Sequence, residues 1–198
     1  MSTPEETFWQ WFLNNEERIF NYQEDQDAVL DELSHAIQQV HSNLTFALSA
    51  QLINGMREFI VSANGIQTAF PHVEKLVDAA PLLGRWQWIK FRPRHREILN
   101  IRIDDHHMVR ADDVHYLMFA TDDKVGIFLF FDNYTPEQHE LYAQLGFLFL
   151  DQALGEYDIE TKVGPIELYS RDSDLFAKSA PLRDLPAHFD AYWASKTS

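Results

Sequence analysis

Cysteine is absent from the 198 residues, which excludes a disulfide framework, a thiolate metal site and a cysteine nucleophile. Any chemistry must come from oxygen and nitrogen groups. Glycine is scarce, seven in all, and most of it falls at predicted turns. The glycine-dependent signatures are missing with it: there is no GxGxxG, Walker A run, kinase set or GxSxG elbow. Ser49, Ser62 and Ser170 lie in predicted strands with no recognisable elbow. No apolar run approaches the roughly 18 residues of a membrane helix, and MSTPEETFWQ has neither the basic nor the apolar region of a secretory signal, so a cytoplasmic location off the membrane is expected. Positive charge is also in short supply. Lysine and arginine number 16 against 31 aspartates and glutamates, a net charge of −15. The acids are spread as EE, DD and DxD pairs, which describes a solvated surface. Such a field repels phosphate backbones and disfavours nucleic acid, while it speeds encounter with a basic partner.

What is present, 45% hydrophobic residues, suffices for a real core, and the length suits one folded unit. Thr3, Pro4 and Glu6 read as an N-cap, an N1 proline and a capping-box partner, so a helix is expected from Pro4 to about Tyr22. A second helix is expected from Asp25 to His41, with Val29, Leu30, Leu33, Ile37 and Val40 on one face. The period then changes to alternation. Strands are expected over 45–53 and 57–63 about the hairpin signal Asn54-Gly55-Met56, followed by a helix around AFPHVEKLVDAA and a strand at WQWIKF. The order recurs as HYLMFAT (115–121), VGIFLFF (125–131), a helix from Thr135-Pro136-Glu137 to about Leu154, and PIELYS (165–170). ILNIRID (98–104) adds a strand between the halves, and a short helix after Pro186 docks through Phe189, Tyr192 and Trp193. The fold class is therefore α+β: two strand-strand-helix-strand units forming mainly antiparallel sheet, with helices packed on it and two helices in front. It is read as a single domain over 1–198, with pseudo-repeated halves at about 45–92 and 115–170, a helical pair at 4–42 and a helical tail at 184–194.

Three clusters carry candidate chemistry. In FWQWFLNNEERIF (8–20), at about 100° per residue, Phe8, Trp9, Phe12, Leu13, Ile19 and Phe20 form an apolar arc, and Glu16 falls inside it. A carboxylate beside tryptophans must find a cation or donors, or take up a proton. An arginine from the run WQWIKFRPRHREI (86–98) is the expected partner; a solvated helix edge and a catalytic acid are the alternatives. That run is the one basic island. Alternation places Trp86, Trp88, Lys90 and Arg92 on one face, with Ile89 and Phe91 on the other. Arg92, Arg94 and Arg96 could form a fork for an anion, and tryptophans beside cations suit a flat ligand; pairing with local carboxylates is the competing reading. The third cluster, DDHHMVRADDVH (104–115), offers Asp104, His106, His107, Asp112 and His115 as metal ligands. Its spacing matches no zincin helix or EF-hand loop, and a polar connector is the plainer interpretation. No cofactor is expected.

FWQWFLNNEERIF, REFIVSANGIQTAFPHVEKLVDAAP and WQWIKFRPR together resemble a family of small bacterial proteins with an N-terminal FWxWF signature followed by REFIVSA-like and FRPR blocks. The resemblance covers about residues 7–94. It implies a bacterial cytoplasmic protein, places Phe8, Trp9, Trp11, Phe12, Glu16, Arg57, Glu58, Arg92 and Arg94 at motif positions, and attaches no reaction to them. Two function classes follow from the sequence. One is a non-catalytic interaction protein whose acidic surface or Trp/Arg strand engages a partner, comparable by analogy to acidic immunity proteins that neutralise basic toxins. The other is an enzyme or small-ligand receptor in which Arg92, Arg94 and Arg96 hold an anion while Glu16, Glu58 or a histidine handles protons.

Overall fold

In the computed structural model, which describes residues 2–104 and 107–196, the chain divides into two units, Met1–Arg92 and Pro93–Ser198. The first runs α1 (Pro4–Phe20), α2 (Gln26–Gln38), β1 (Thr45–Leu48), β2 (Arg57–Ser62), α3 (Phe70–Asp78) and β3 (Trp86–Lys90). Helix α1 starts where the capping box places it. The Glu6 N–H donates to Thr3 Oγ1 at 3.1 Å, and the Thr3 N–H donates to Glu6 Oε2 at 2.9 Å, which satisfies two otherwise orphaned donors.

Strand β1 pairs antiparallel with β2, and β2 pairs parallel with β3, with Arg57 opposite Trp86 and Phe59 opposite Trp88. Because side chains alternate along a strand, Arg57, Phe59, Val61, Trp86 and Trp88 share one sheet face. Phe12 of α1 meets that face edge-on, 5.6 Å from Phe59, 5.1 Å from Trp86 and 5.4 Å from Trp88. Two indoles are pinned to the chain around α3: Trp9 Nε1 donates to Leu76 O at 2.7 Å and Trp88 Nε1 to Pro81 O at 2.8 Å. The strand expected to reach residue 53 stops at Leu48. Ser49 still bonds to Glu58, but the hairpin then closes locally as an Ile53–Met56 bridge about Asn54 (φ 53°) and Gly55 (φ 81°), so residues 50–52 loop out. Left-handed backbone suits Asn-Gly and not the residues before it.

The second unit runs β4 (Ile101–Arg102), β5 (Met108–Val109), β6 (His115–Ala120), β7 (Val125–Phe131), α4 (His139–Leu154), α5 (Glu156–Lys162), β8 (Val163–Ser170), β9 (Ala180–Pro181) and α6 (Leu185–Lys196). Its main sheet has the order β8-β7-β6-β9. As in the first unit, an antiparallel hairpin is followed by helix and then by a strand parallel to the hairpin's second strand. Among the described residues four strand pairings are antiparallel and two parallel, so the architecture is α+β with antiparallel-dominated sheets. Helix α4 packs so closely that a Cβ on Gly146 would lie 2.9 Å from Leu129. Phe189 of α6 is fully buried, and Tyr192 and Trp193 pack against the same core.

Two expectations change here. ILNIRID contributes only Ile101–Arg102 as strand, paired with β5 in a two-stranded ribbon. A second crossover helix, α5, follows α4, because Gly155 at φ 75° turns the chain and lets EYDIETK start afresh. No helix among the described residues is long and apolar enough to cross a membrane.

Candidate functional site

Glu16 stands four residues after Phe12, one helical turn further along the face that meets β3. Its carboxylate is met by Arg85, whose Nε donates to Oε1 at 2.7 Å and whose Nη2 donates to Oε2. Trp86 Nε1 donates to Oε1 as well. Arg85 also reaches Glu17 at 2.6 Å, and its guanidinium lies over the Phe20 ring, 4.2 Å from the centroid. The Glu16 side chain is only 18% exposed. The hydrogen bond from Arg85 holds its carboxyl below the usual range, burial opposes this, and the Trp86 donor adds to the lowering. Glu16 and then Glu17 push the Arg85 guanidinium further up against burial. The cluster also removes an electrostatic conflict: carboxylates in the last turns of α1 face the negative end of the helix dipole, and the guanidinium offsets it.

The guanidinium expected from residues 86–98 thus comes instead from Arg85, one position before that run. The reason is register. Trp86 begins β3 opposite Arg57, so the residue just before the strand hangs over the end of α1. Strand alternation holds through Lys90, with the Trp86 and Trp88 rings stacked 5.4 Å apart at 5°, and fails at the next residue. Phe91 takes φ 62°, which buries its ring 4.4 Å from Phe70. Lys90 pairs with Asp78 at 2.6 Å. Of the three arginines read as an anion fork, two take separate partners and the third is exposed. Arg92 Nη1 donates to Ser62 Oγ at 2.7 Å in the first unit. Arg94, in the second, bonds Asp190, Asp158 and Leu154 O, tying α4, α5 and α6 together, and Arg96 is exposed. Glu58 is half-buried on the sheet face opposite Phe59 and gives its N–H to Ser49 Oγ at 3.0 Å.

The acidic and histidine-rich segment is also dispersed. His107 Nδ1 meets Asp104 at 2.8 Å, Asp112 meets Arg183 at 3.4 Å, and His115 Nδ1 lies 3.3 Å from Arg171; His106 lies outside the described residues. No group of three or more histidines and carboxylates among the described residues is arranged to hold a metal ion.

Sequence reasoning missed three features. Arg57 is 5% exposed, lies 5.1 Å from the Phe20 ring and 5.0 Å from the Tyr22 ring, and donates to Ser49 O at 2.5 Å, while its Nε has no hydrogen-bond partner. Beyond the ends of the parallel strands β7 and β8, Asp132 pairs with Arg171 at 2.7 Å. Burial and then Arg171 hold the His115 imidazole below its usual range, and burial pushes the Tyr142 phenol up with Asp132 assisting. The cavity there is about 80 Å³, room for a few waters at about 30 Å³ each and not for a substrate of ordinary size.

The third feature is a groove of about 640 Å³ between α1 and α2, inside the about 300–1,000 Å³ range of ligand pockets. Pro4, Thr7, Phe8 and Trp11 form one wall and Glu32, His35, Ala36 and Gln39 the other. Each set has spacing i, i+3, i+4, i+7, the signature of one helix face, and that repeated spacing was the legible signal. No protein-family model, curated protein or solved structure matches the chain.

Proposed function

We propose that this chain is a non-catalytic interaction module whose acidic surface engages a basic partner protein, in the manner of acidic immunity proteins by analogy alone. The observation that carries this reading is that Arg85, Lys90 and Arg94 are each paired with carboxylates of their own unit, Arg96 alone of the expected fork being exposed. A receptor for an anion needs guanidinium groups turned toward a cavity, whereas Arg85 is committed to Glu16 and Glu17, Lys90 to Asp78, and Arg94 to Asp158 and Asp190. Carboxylates, by contrast, remain in excess. A bacterial cytoplasmic setting, which the FWxWF resemblance implies, belongs to the same proposal.

Isolation of the chain from its native host, with mass spectrometry of everything retained, tests the reading. A stoichiometric basic protein that leaves as salt is raised is the expected result. A retained phosphate or carboxylate compound would instead establish a receptor or enzyme.

A further inference from the structure

We infer that the groove between α1 and α2 is the docking site of a basic amphipathic helix from the partner, a proposal that rests on the interaction reading above. Two helices that each turn an i, i+3, i+4, i+7 face toward a common channel offer the complement of a third helix, whose anchors recur at the same spacing. The floor is apolar: Phe8 is almost fully buried, and Trp11 and Ala36 are half-buried beside it. The rim is polar, with Thr7, Glu32, His35 and Gln39 exposed.

Charge selects the occupant. From Met1 to Met56 the chain carries nine carboxylates, Glu5 through Glu32, and one basic residue, Arg18. Arg18 pairs with Glu32 at 2.6 Å and Asp25 at 3.1 Å, and Arg85 takes Glu16 and Glu17, so the excess negative charge of this stretch is carried by Glu5, Glu6, Glu24, Asp27 and Asp31. Helix α2 contains Asp27, Asp31 and Glu32 and no lysine or arginine. An acidic or neutral helix would bring like charge or none against these walls. A helix with lysine and arginine flanking an apolar stripe satisfies both floor and rim, and the surrounding field raises its rate of encounter. A second copy of this chain is disfavoured on the same ground, since its own helical pair carries the same sign.

The test is a selection of 18-residue display peptides, randomised in charge and pattern, against the intact chain, followed by titration of the synthetic winners. The expected winners are net basic with apolar residues at i, i+3, i+4 and i+7. They should bind about tenfold or more weakly to Trp11→Ala and lose binding to Thr7→Arg/Ala36→Arg, which sets two cations in the channel. Circular dichroism and urea midpoints of the variants establish that they remain folded. Rising salt should weaken the complex. Acidic or extended winners, no winners, or equal binding to the folded groove variants would overturn the groove. If the host partner then still co-purified equally with wild type and with Thr7→Arg/Ala36→Arg, the interaction reading would stand and only the docking site would fall.

Discussion

Replacing Glu16 by glutamine keeps the shape of the side chain and removes its charge, so it isolates the contribution of the ion pair. Three hydrogen bonds converge on the carboxylate. A bond to a charged group contributes about 1.5–3 kcal/mol in favourable surroundings. Arg85, however, is 36% exposed and keeps Glu17, so screening draws its share toward the about 0–1 kcal/mol of surface pairs. Glutamine can still accept through one oxygen, but its amide N–H groups then face Arg85 or the buried Trp86 indole, and one mismatched donor adds about 1 kcal/mol. The expected loss is about 1–2 kcal/mol. Urea unfolding followed by tryptophan fluorescence reads it well, because Trp9, Trp11, Trp86 and Trp88 lie in the first unit and only Trp193 in the second. At a slope of about 2 kcal/mol/M the midpoint should fall by about 0.5–1 M with the slope unchanged. Glu17→Gln, at a carboxylate 75% exposed, should move it far less. The pH dependence has a fixed sign. Because the folded carboxyl titrates below its ordinary 4.5, its contribution is present above that pH and is lost as pH falls through the folded value. Wild type and variant should therefore converge in acid. An unchanged midpoint, or a shift equal to that of Glu17→Gln, would refute the pairing.

Other perturbations follow the same reasoning. Arg57→Met should be within about 1 kcal/mol of wild type, or more stable, because it removes a buried charge with no carboxylate partner among the described residues; Arg57→Ala, which also forfeits the contacts to Phe20 and Tyr22, should cost about 2 kcal/mol or more by the same urea assay. Gly126→Ala would set a Cβ 2.1 Å from the Phe119 ring, so about 1–3 kcal/mol should be lost, and less in a Phe119→Ala background, a coupling that a double-mutant cycle measures. Thr3→Ala removes the α1 cap and should cost about 1 kcal/mol in thermal or urea unfolding.

Local signals in the sequence carried far where they were strong. The Thr3–Glu6 box and Pro4 fixed the start of α1, the misfit of Glu16 among aromatics pointed to a partly buried ion pair, and the apolar stretches HYLMFAT and VGIFLFF gave β6 and β7. What failed depended on long-range register or on unusual backbone. The partner of Glu16 could not be read, since only the parallel pairing of Arg57 with Trp86 brings Arg85 over the end of α1. Strand β3 was expected to alternate through Arg92, and the left-handed Phe91 ends that alternation without a glycine to signal it. Helix α5 was hidden because Gly155 resembles the end of α4 and not the start of another helix. The α1/α2 groove escaped because apolar residues on a helix face are ordinarily spent on the core, and the sequence cannot show which of them the fold leaves uncovered.

That Arg85, Lys90, Arg92 and Arg94 are spent internally can be tested most directly by thermal unfolding in inorganic phosphate against sodium chloride of equal ionic strength. A site half-saturated at 100 μM would gain about 2.7 kcal/mol in 10 mM phosphate. Coincident melting curves in the two salts are the predicted result. A saturable stabilisation by phosphate, abolished in Arg85→Ala or Arg92→Ala, would contradict it and return the chain to the anion receptors.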